Sequence, residues 1–590
     1  MFTLPDPIKP YFVVSVLIFT FYYIFKGNVL PLKGLLPAIL LFLIFDIVQA
    51  DDVFTAISNK AVISVILLVL MAAGINTRYN PDFIINRLVV TKKGHRPFLF
   101  SIMLVSSVLS SFINNTAVVA FMIPFVHQWS KKNNLSPSKL MMPLSFATIL
   151  GGMITIIGTS TTLVLQGFIQ YHGEPGLDTF NLFLIGIAVT ITGVLFLGYP
   201  AQKLLPSKED LISTFKSTSR EYLVETILTK NSSLTGKSVA EAGLRNLKGL
   251  FLVEILREKE NIAPVAPQEI IQQKDVLIFA GNTNDILNLT KSDIGLTFPR
   301  NPDHLPSFDE IVEVVISQNS SLLGMSIKNT NFRERYDSAV IAIHRNGRRV
   351  QGKIGDINLH VGDVLLLFSG KGFSEKADVY KDLYIISQKR NQPPVTRSGK
   401  INLLLLMILA TLLFVTNYFS LAGSLFILFG TMISLNIITL KTLKRDLDIN
   451  LAGTLVISIV IGNAIINSGV ATLIGDSMEF IYAMGGKPGI LIGLILLTTI
   501  LTSFITNVAA VSIAFPIAME LSEKFNIPSA GLYMGIAFAA SAAFLTPLSY
   551  QTNLMVFGPG GYKFSDFIKV GLPLTVIYLT VVISFLMFLY

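Results

Sequence analysis

Two stretches of the chain carry the same polar residues within apolar surroundings that contain no charged side chain. SFINNTAVVAFMIP, at residues 111–124, and SFITNVAAVSIAFP, at residues 503–516, align without gaps at an offset of 392 and are identical at seven of fourteen positions. This similarity indicates an internal duplication. Because amide and hydroxyl side chains interrupt an apolar run in both copies, we predict that each copy contains a break between two helices.

The composition predicts a membrane protein. Of the 590 residues, 52% are hydrophobic and 14% are charged, and the mean hydropathy is +0.63. Apolar stretches long enough to cross roughly 30 Å of hydrocarbon recur along the chain. The chain has no cysteine, which excludes disulfide bonds and thiolate metal sites. We expect the net charge of +9 to reside mainly on cytoplasmic loops rather than to mark a nucleic-acid partner.

The order of apolar stretches predicts two similar halves. In the first half we expect crossings at about residues 8–26, 29–49, 61–76 and 180–203, a re-entrant hairpin at 98–126 and a broken crossing at 140–171. In the second half we expect crossings at about 399–418, 420–440 and 452–470, a hairpin at 488–519, a broken helix at 529–558 and a final crossing that ends at Tyr590. Five crossings per half invert the second half relative to the first. The predicted fold is a polytopic α-helical membrane protein of two inverted repeats.

The distribution of lysine and arginine predicts the orientation. With the N-terminus outside, the inner loops carry fifteen of these residues and the outer loops carry four: Lys9, Lys60, Lys487 and Lys524. Positive residues favour the cytoplasmic side. We therefore expect a protein of the plasma (inner) membrane with both termini outside and residues 207–396 in the cytoplasm.

The predicted breaks have the chemistry of an ion site. A helix that ends at such a break presents free carbonyl groups, which suit a cation, and a helix that begins there presents free N–H groups, which suit an anion. No Asp, Glu, Lys or Arg occurs in residues 98–126, 140–171, 488–519 or 525–562. Proton-coupled carriers usually need a titratable group in the membrane, so these neutral segments favour sodium coupling.

The motifs INNTA and ITNVA resemble the paired Ser-Asn-Thr hairpin motifs of the divalent anion/sodium symporter (DASS) family of the ion transporter superfamily. LTPLSYQTNLMVFGPGGYKFSDF, from Leu545 to Phe567, resembles the second broken helix of that family and the loop after it. The resemblance covers about 400 residues and implies one inward and one outward hairpin, two sodium sites, a homodimer and elevator-type movement.

The resemblance also implies the site residues. The substrate would contact Asn114, Asn115, Thr116, Thr506, Asn507 and Pro547. Sodium ions would contact Asn114, Asn115, Gly158, Thr159, Ser160, Thr161, Thr506, Asn507, Thr546 and Ser549. The chain departs from the family motif at Asn114, which replaces the first serine, and at Val508, which stands in place of the second threonine. Because Val508 removes one hydroxyl partner, we expect a compact dianion such as sulfate.

Residues 207–396 have the character of a soluble insert with its own repeat. NSSLTGKS at Asn231 matches NSSLLGMS at Asn319, and KDVLIFAG at Lys274 matches GDVLLLFSG at Gly362, at an offset of 88. Both copies resemble the TrkA C-terminal (RCK_C) domain, an α+β unit that dimerises and in some relatives binds cyclic di-AMP. We expect domains at 1–206, 207–300, 301–396 and 397–590. A regulatory anion could contact His344, Arg345, Arg348 and Arg349, although residues of this kind more often form the solvated face of a hairpin.

These patterns together predict a sodium-coupled importer of a divalent oxyanion, regulated by the insert, and not an enzyme. A sodium/dicarboxylate or citrate symporter is the nearest alternative. A potassium channel would need filter loops of the TVGYG kind, and an antiporter would need an intramembrane carboxylate. Asp46 is the only carboxylate within a predicted span.

Overall fold

The structure, a computed structural model, describes most of the apolar chain and part of the insert. The described residues of the apolar parts are 4–25, 31–78, 89, 94–208, 397–415, 418–440, 443–444, 447 and 449–590. Those of the insert are 223–229, 232–244, 247, 250–257, 260–262, 265–281, 295–297, 311–317, 320–345, 348–350, 354–370, 372–380 and 382–386. The expected domain boundaries at 300/301 and 396/397, and most of the basic loop after Arg78, lie outside this part of the chain.

The first apolar part is helical. Its helices are α1 (Lys9–Phe25), α2 (Pro31–Ile44), α3 (Ala50–Ile57), α4 (Lys60–Arg78), α5 (His95–Ser110), α6 (Asn115–Lys132), α7 (Ser138–Gly152), α8 (Ser160–Tyr171), α9 (Thr179–Gly198) and α10 (Ala201–Leu204). The crossing expected at 29–49 ends earlier, at Ile44, because Asp46 adopts a left-handed conformation with φ 55°. The short helix α3 was not expected. Asp52 caps its first turn by accepting a hydrogen bond from the Gln49 N–H at 2.9 Å.

The second apolar part is also helical. Its helices are α13 (Arg397–Val415), α14 (Leu421–Ser434), α15 (Ile449–Asn467), α16 (Val470–Ser477), α17 (Glu479–Phe504), α18 (Asn507–Phe525), α19 (Ser529–Ala540), α20 (Gln551–Phe557) and α21 (Phe564–Leu589). Asn436, just after α14, has φ 54° and so repeats the turn at Asp46. Helix α17 begins well before the expected residue 488 and is bent at Gly486, where φ is 60°.

Several helices have the length and hydropathy of membrane spans. Within the described residues, the stretches that meet both criteria are Ala50–Ile75, Thr179–Gly198, Glu479–Phe504 and Phe564–Leu589. A bent pair, Ala452–Asn467 and Val470–Ser477, meets them together at an angle of 65°. Shorter apolar helices such as α1, α2 and α5 accompany them. The chain is therefore a mostly helical, multi-pass membrane protein.

The insert contains two antiparallel sheets with the same strand order. The first is β3-β2-β4-β1-β5 and the second is β10-β6-β9-β7-β8, so mapping β1–β5 onto β6–β10 makes the two orders identical. The strands are β1 (Leu223–Leu228), β2 (Leu250–Arg257), β3 (Glu260–Ile262), β4 (Val276–Gly281), β5 (Leu296–Thr297), β6 (Ile311–Ile316), β7 (Ser338–Arg345), β8 (Arg348–Arg349), β9 (Val364–Ser369) and β10 (Leu383–Ile385). Two short helices, α11 (Phe332–Tyr336) and α12 (Phe373–Tyr380), belong to the second unit.

The repeat at an offset of 88 extends to details of these units. Each has a bulge at the same place, between Leu252 and Glu254 in one sheet and between Val340 and Ala342 in the other. The two sheets pack on each other through an apolar cluster that includes Val253, Ile278, Ile311, Ala339, Ile341 and Phe368. The insert is therefore a pair of similar units joined by a buried apolar surface.

Candidate functional site

The first helix break lies between α5 and α6, and we call residues 111–116 the first tip. Asn114 precedes α6 and caps it, because its Oδ1 accepts a hydrogen bond from the Thr116 N–H at 2.9 Å. The hydroxyl of Ser110 donates to Oδ1 of Asn115, and Asn115 is buried. Local capping therefore fixes the start of α6, and its free N–H groups face the break.

The non-helical residues 153–159 between α7 and α8, the first broken segment, pack on the first tip. The Thr155 hydroxyl donates to the carbonyl oxygen of Ser111. Gly158 allows this approach, since a Cβ atom there would lie 2.5 Å from the Gly152 oxygen and 2.7 Å from the Ser110 oxygen. Thr159 then caps α8 by accepting from the Thr161 N–H at 3.4 Å. Of the sodium-site candidates here, Gly158, Thr159 and Thr161 are buried, and Ser160 is half-buried.

The second helix break, with residues 503–508 as the second tip, repeats the first. Thr506 caps α18 by accepting from the Ala509 N–H at 3.3 Å. The Thr502 hydroxyl lies 2.9 Å from Oδ1 of Asn507, as the Ser110 hydroxyl contacts Asn115 at the first break. Because 392 residues separate each member from its counterpart, the duplication preserves the contact as well as the sequence.

The non-helical residues 541–550 between α19 and α20 form the second broken segment, which packs on the second tip. The Thr546 hydroxyl donates to the Ser503 carbonyl oxygen at 3.0 Å, as Thr155 does to Ser111. The Ser549 N–H donates to the Thr546 hydroxyl at 3.1 Å. Pro547 is buried within this segment. Each tip is thus held by a threonine of its own half.

A tyrosine connects the two halves of the site. The hydroxyl of Tyr550 accepts from the Asn115 amide at 3.0 Å and lies 3.4 Å from the Thr159 hydroxyl. Tyr550 was not among the site residues predicted from the sequence. The sequence nevertheless contains a signal for this position, because Tyr550 precedes α20 as Thr159 precedes α8, at an offset of 391 residues, one fewer than the offset between the tips. In the described part of the chain no hydrogen bond joins the two tips directly, and the second broken segment contacts both.

The helices that leave these breaks pack reciprocally. Helix α8 packs on α18, with the Phe168 and Phe515 rings stacked at 5.4 Å, and α20 packs on α6. In the duplication α8 corresponds to α20 and α18 to α6. Each half therefore supplies the helix that packs on the other half's tip helix.

One amide at the site has an unused end. Asn507 is 5% exposed, and its Nδ2 has no hydrogen-bond partner among the residues that the structure describes, whereas the equivalent atom of Asn115 is bonded to Tyr550. This donor is therefore available to an acceptor oxygen of a bound molecule.

The four regulatory candidates lie far along the chain from this site, in the second unit of the insert. Arg345 forms a salt bridge with Asp363 at 2.7 Å, as Arg257 does with Asp275 at 2.9 Å in the first unit. Burial and the charge of Arg349 lower the pKa of His344 to about 4. His344 is therefore neutral at pH 7 and adds no positive charge there. Arg349 is exposed, and the side chain of Arg348 is outside the described atoms.

A cavity of 510 Å³ lies between the two units of the insert, away from the arginines of β8. Its walls include Lys328, Asn331, Arg333 and Gln268. Arg333 donates to the carbonyl oxygens of Val265 and Leu252 at 2.8 and 3.3 Å, and Lys328 pairs with Asp356 at 2.7 Å. Arg333 therefore links the two units, and Lys328 is paired within the second unit, so both positive groups at this cavity already have partners in the protein.

Comparison with known proteins gives one matching family model and several similar proteins. The model of the citrate transporter family, CitMHS, matches residues 21–426 and 411–590. The chain is 31% identical to a putative sulfur deprivation response regulator of Chlamydomonas reinhardtii over 92% of this chain and 95% of that protein. It is 28% identical to an uncharacterized transporter of Synechocystis over 92% and 91%. It is 27% identical to the probable sodium/sulfate cotransporter 3 of C. reinhardtii over 62% of this chain and 42% of that protein.

Proposed function

The chain belongs to the citrate transporter family CitMHS, and from this membership, which makes it a membrane transporter of a small anion, we propose that it imports sulfate together with sodium ions. The observation that carries the proposal is the pair of capped helix breaks. At each break the N-terminus of one helix and the C-terminus of another meet beside a buried asparagine. Such an arrangement can hold an anion and a cation side by side.

The anion half of the proposal rests on the donors at the two tips. The free N–H groups at the starts of α6 and α18, together with the unpaired Nδ2 of Asn507, would donate to the substrate's oxygens. Rotation of the Asn507 amide by 180° would present its carbonyl oxygen instead, which is a sodium ligand. Asn114, Asn115, Thr116, Thr506 and Pro547 complete the proposed substrate contacts.

The sodium half rests on neutral oxygen atoms. The carbonyl groups at the ends of α5 and α17, with side-chain oxygens of the tips and broken segments, are hard ligands without charge. The side chains proposed to contribute are those of Asn114, Asn115, Thr159, Ser160, Thr161, Thr506, Asn507, Thr546 and Ser549, beside the backbone of Gly158. Since the four segments that form the breaks contain no charged residue, the anion would be balanced by the sodium ions themselves.

Sulfate is favoured over citrate by the second tip. Val508 is 8% exposed and offers a methyl surface where the related motif has a hydroxyl, which suits a compact dianion better than one with several separate carboxylates. Relatives named sodium/sulfate cotransporters point the same way. The family name favours citrate, and a sodium-coupled carrier of citrate or another dicarboxylate is therefore the second candidate.

We also propose the architecture that this function would use. Within each chain, residues 1–206 and 397–590 would form two inverted repeats. Two such chains would form a homodimer in the plasma membrane, with both termini of each chain outside and with elevator-type movement. The reciprocal packing of α8 on α18 and of α20 on α6 supports the inverted relationship. Residues 207–300 and 301–396 would be cytoplasmic RCK_C-like units that regulate transport through a small anionic ligand such as cyclic di-AMP.

The test is uptake into proteoliposomes. Radiolabelled sulfate, citrate and succinate are supplied outside, each with an inward sodium gradient and with potassium in place of sodium. Sodium-dependent uptake of sulfate that exceeds uptake of the two carboxylates would support the proposal. Preferential uptake of citrate would favour the second candidate, and uptake without sodium would refute the coupling.

A further inference from the structure

The second unit of the insert is packed directly on the helices that carry the site. Val364 of β9 occupies the space that a side chain at Gly558, just after α20, would need, and Gly362 faces Leu554 of α20. Val315, Val364 and Ile386 belong to the same buried apolar cluster as the residues of the apolar helices. This contact is therefore continuous with the core of the membrane part.

A buried polar pair lies at the same contact. Glu313 of β6 and His127 of α6 approach to 4.0 Å, and their side chains are 1% and 3% exposed. Groups of this kind are costly to remove from water unless they are hydrogen-bonded or paired. The burial of both side chains indicates a tightly closed contact between the insert and α6, the helix that begins at the first tip.

A hydrogen-bonded path crosses this contact to the first tip. The hydroxyl of Tyr384, on β10, accepts from Nε2 of Gln551 at 2.5 Å. The Oε1 of the same amide accepts from the Thr116 hydroxyl at 3.3 Å. Both ends of one side chain are thus engaged, one by the insert and one by the tip. Hydrogen bonds in series through an amide polarise one another.

The tyrosine is specific to the second unit. Tyr384 pairs with Val315 in its sheet, and the register-equivalent pair in the first unit is Thr297 with Ile227. Thr297 is exposed. The two units therefore differ at the position where one of them reaches the site.

We propose that Tyr384 is a positioning residue for the transport site: by orienting Gln551, it holds the Thr116 hydroxyl and so sets the geometry of the first tip. The proposal rests on the proposed function, in which that tip binds substrate. It also assigns a physical route by which a change in the insert reaches the site.

Tyr384→Phe removes the hydroxyl and keeps the ring. Loss of one hydrogen bond should raise the equilibrium constant for local opening of the tip about five-fold, the equivalent of about 1 kcal/mol. Hydrogen exchange of peptides that cover residues 111–118, measured on the full-length protein, should become about five-fold faster. Tyr380→Phe is the matched control, because Tyr380 is an exposed tyrosine of the same unit, and it should leave exchange at the tip unchanged.

Transport kinetics supply the second readout. Tyr384→Phe should raise the KM for sulfate about five-fold with little change in kcat. The same substitution should have no further effect in a Thr116→Val background, since the path then lacks its last member. A KM effect that persists undiminished in that background would overturn the proposal, as would unchanged exchange at the tip in Tyr384→Phe.

The two proposals fail differently. If wild-type protein imports citrate rather than sulfate, the sulfate assignment fails and the kinetic comparison is made with citrate. If wild-type protein transports neither anion, the proposed function fails, while hydrogen exchange still decides whether Tyr384 holds the tip.

Discussion

The hydroxyl of Tyr550 accepts a hydrogen bond from the amide of Asn115, although the two are separated by 435 positions in the sequence. The bond joins the first tip to the second broken segment, and the same hydroxyl reaches Thr159 of the first broken segment. Elements of both halves are thus connected at one phenol group. A site assembled in this way depends on the relative position of the halves.

Tyr550→Phe should weaken the site without unfolding the protein. The substitution leaves the Asn115 amide donor without its partner, at a cost of about 1–3 kcal/mol. We expect the KM for the transported anion to rise by about ten-fold or more. Uptake kinetics in proteoliposomes test this, with the exposed Tyr171→Phe as the control. A KM equal to that of wild type would mean that Tyr550 does not position the tip.

Gly158→Ala should abolish transport and lower stability. Its Cβ would lie 2.5 Å from the Gly152 oxygen and 2.7 Å from the Ser110 oxygen, so the first broken segment would have to move away from the tip. We expect a loss of about 1–3 kcal/mol, measured as a fall in Tm. Gly430→Ala is the control, because nothing lies within 4 Å of a Cβ there. It lies in a helix and should be neutral or slightly stabilising. Wild-type behaviour of Gly158→Ala would show that the contact is not needed.

Sulfate uptake should depend little on pH between about pH 6 and 8 at a constant sodium gradient. No charged residue lies in the four segments that form the breaks, and sulfate keeps its charge over this range. Citrate, by contrast, changes its charge over the same range, so its uptake should follow the abundance of one ionic form. Initial rates at fixed sodium measure the difference, and a steep pH dependence of sulfate uptake would point to proton coupling.

Arg345→Ala should destabilise the second unit of the insert, whereas Arg349→Ala should not. Asp363 is fully buried, and removal of Arg345 leaves its carboxylate without its charged partner. We expect a cost of about 2 kcal/mol, visible as faster cleavage of the insert in limited proteolysis of the intact protein. Arg257→Ala should do the same in the first unit, where Arg257 pairs with buried Asp275. Equal resistance of Arg345→Ala and Arg349→Ala would contradict this structural role.

His344 should make the second unit less stable as the pH falls. Because its pKa in the folded protein is about 4, below the ordinary value of 6.5, the unfolded chain binds a proton more readily than the folded one between these values. The contribution is fully present above about pH 6.5 and is lost on acidification towards pH 4. His344→Gln should flatten this part of the stability profile relative to wild type, as measured by thermal unfolding at a series of pH values. An identical profile would exclude His344 as its cause.

The helix breaks at residues 111–114 and 153–159 lie where the polar residues in apolar runs had indicated them. Capping explains this success, since Asn114 and Thr159 act on N–H groups within three residues of themselves. Tyr550 and Gln551 could not be found in the same way. Their roles depend on how α20 packs against α6, and on the contact with Tyr384, which sequence spacing does not report. Helix α3 was missed because it has only eight residues and carries Asp51 and Asp52 in its first turn, unlike the long apolar runs from which the crossings were predicted.

The fit of Val364 against Gly558 has a consequence for how this protein can be rebuilt. Removal of the insert would uncover apolar surface on α20, and an insert exchanged from a relative would have to match the bare backbone at that position. Recombination between such transporters should therefore give a folded protein only when the exchanged segment carries both contacting surfaces. The insert and α20 would then be inherited together.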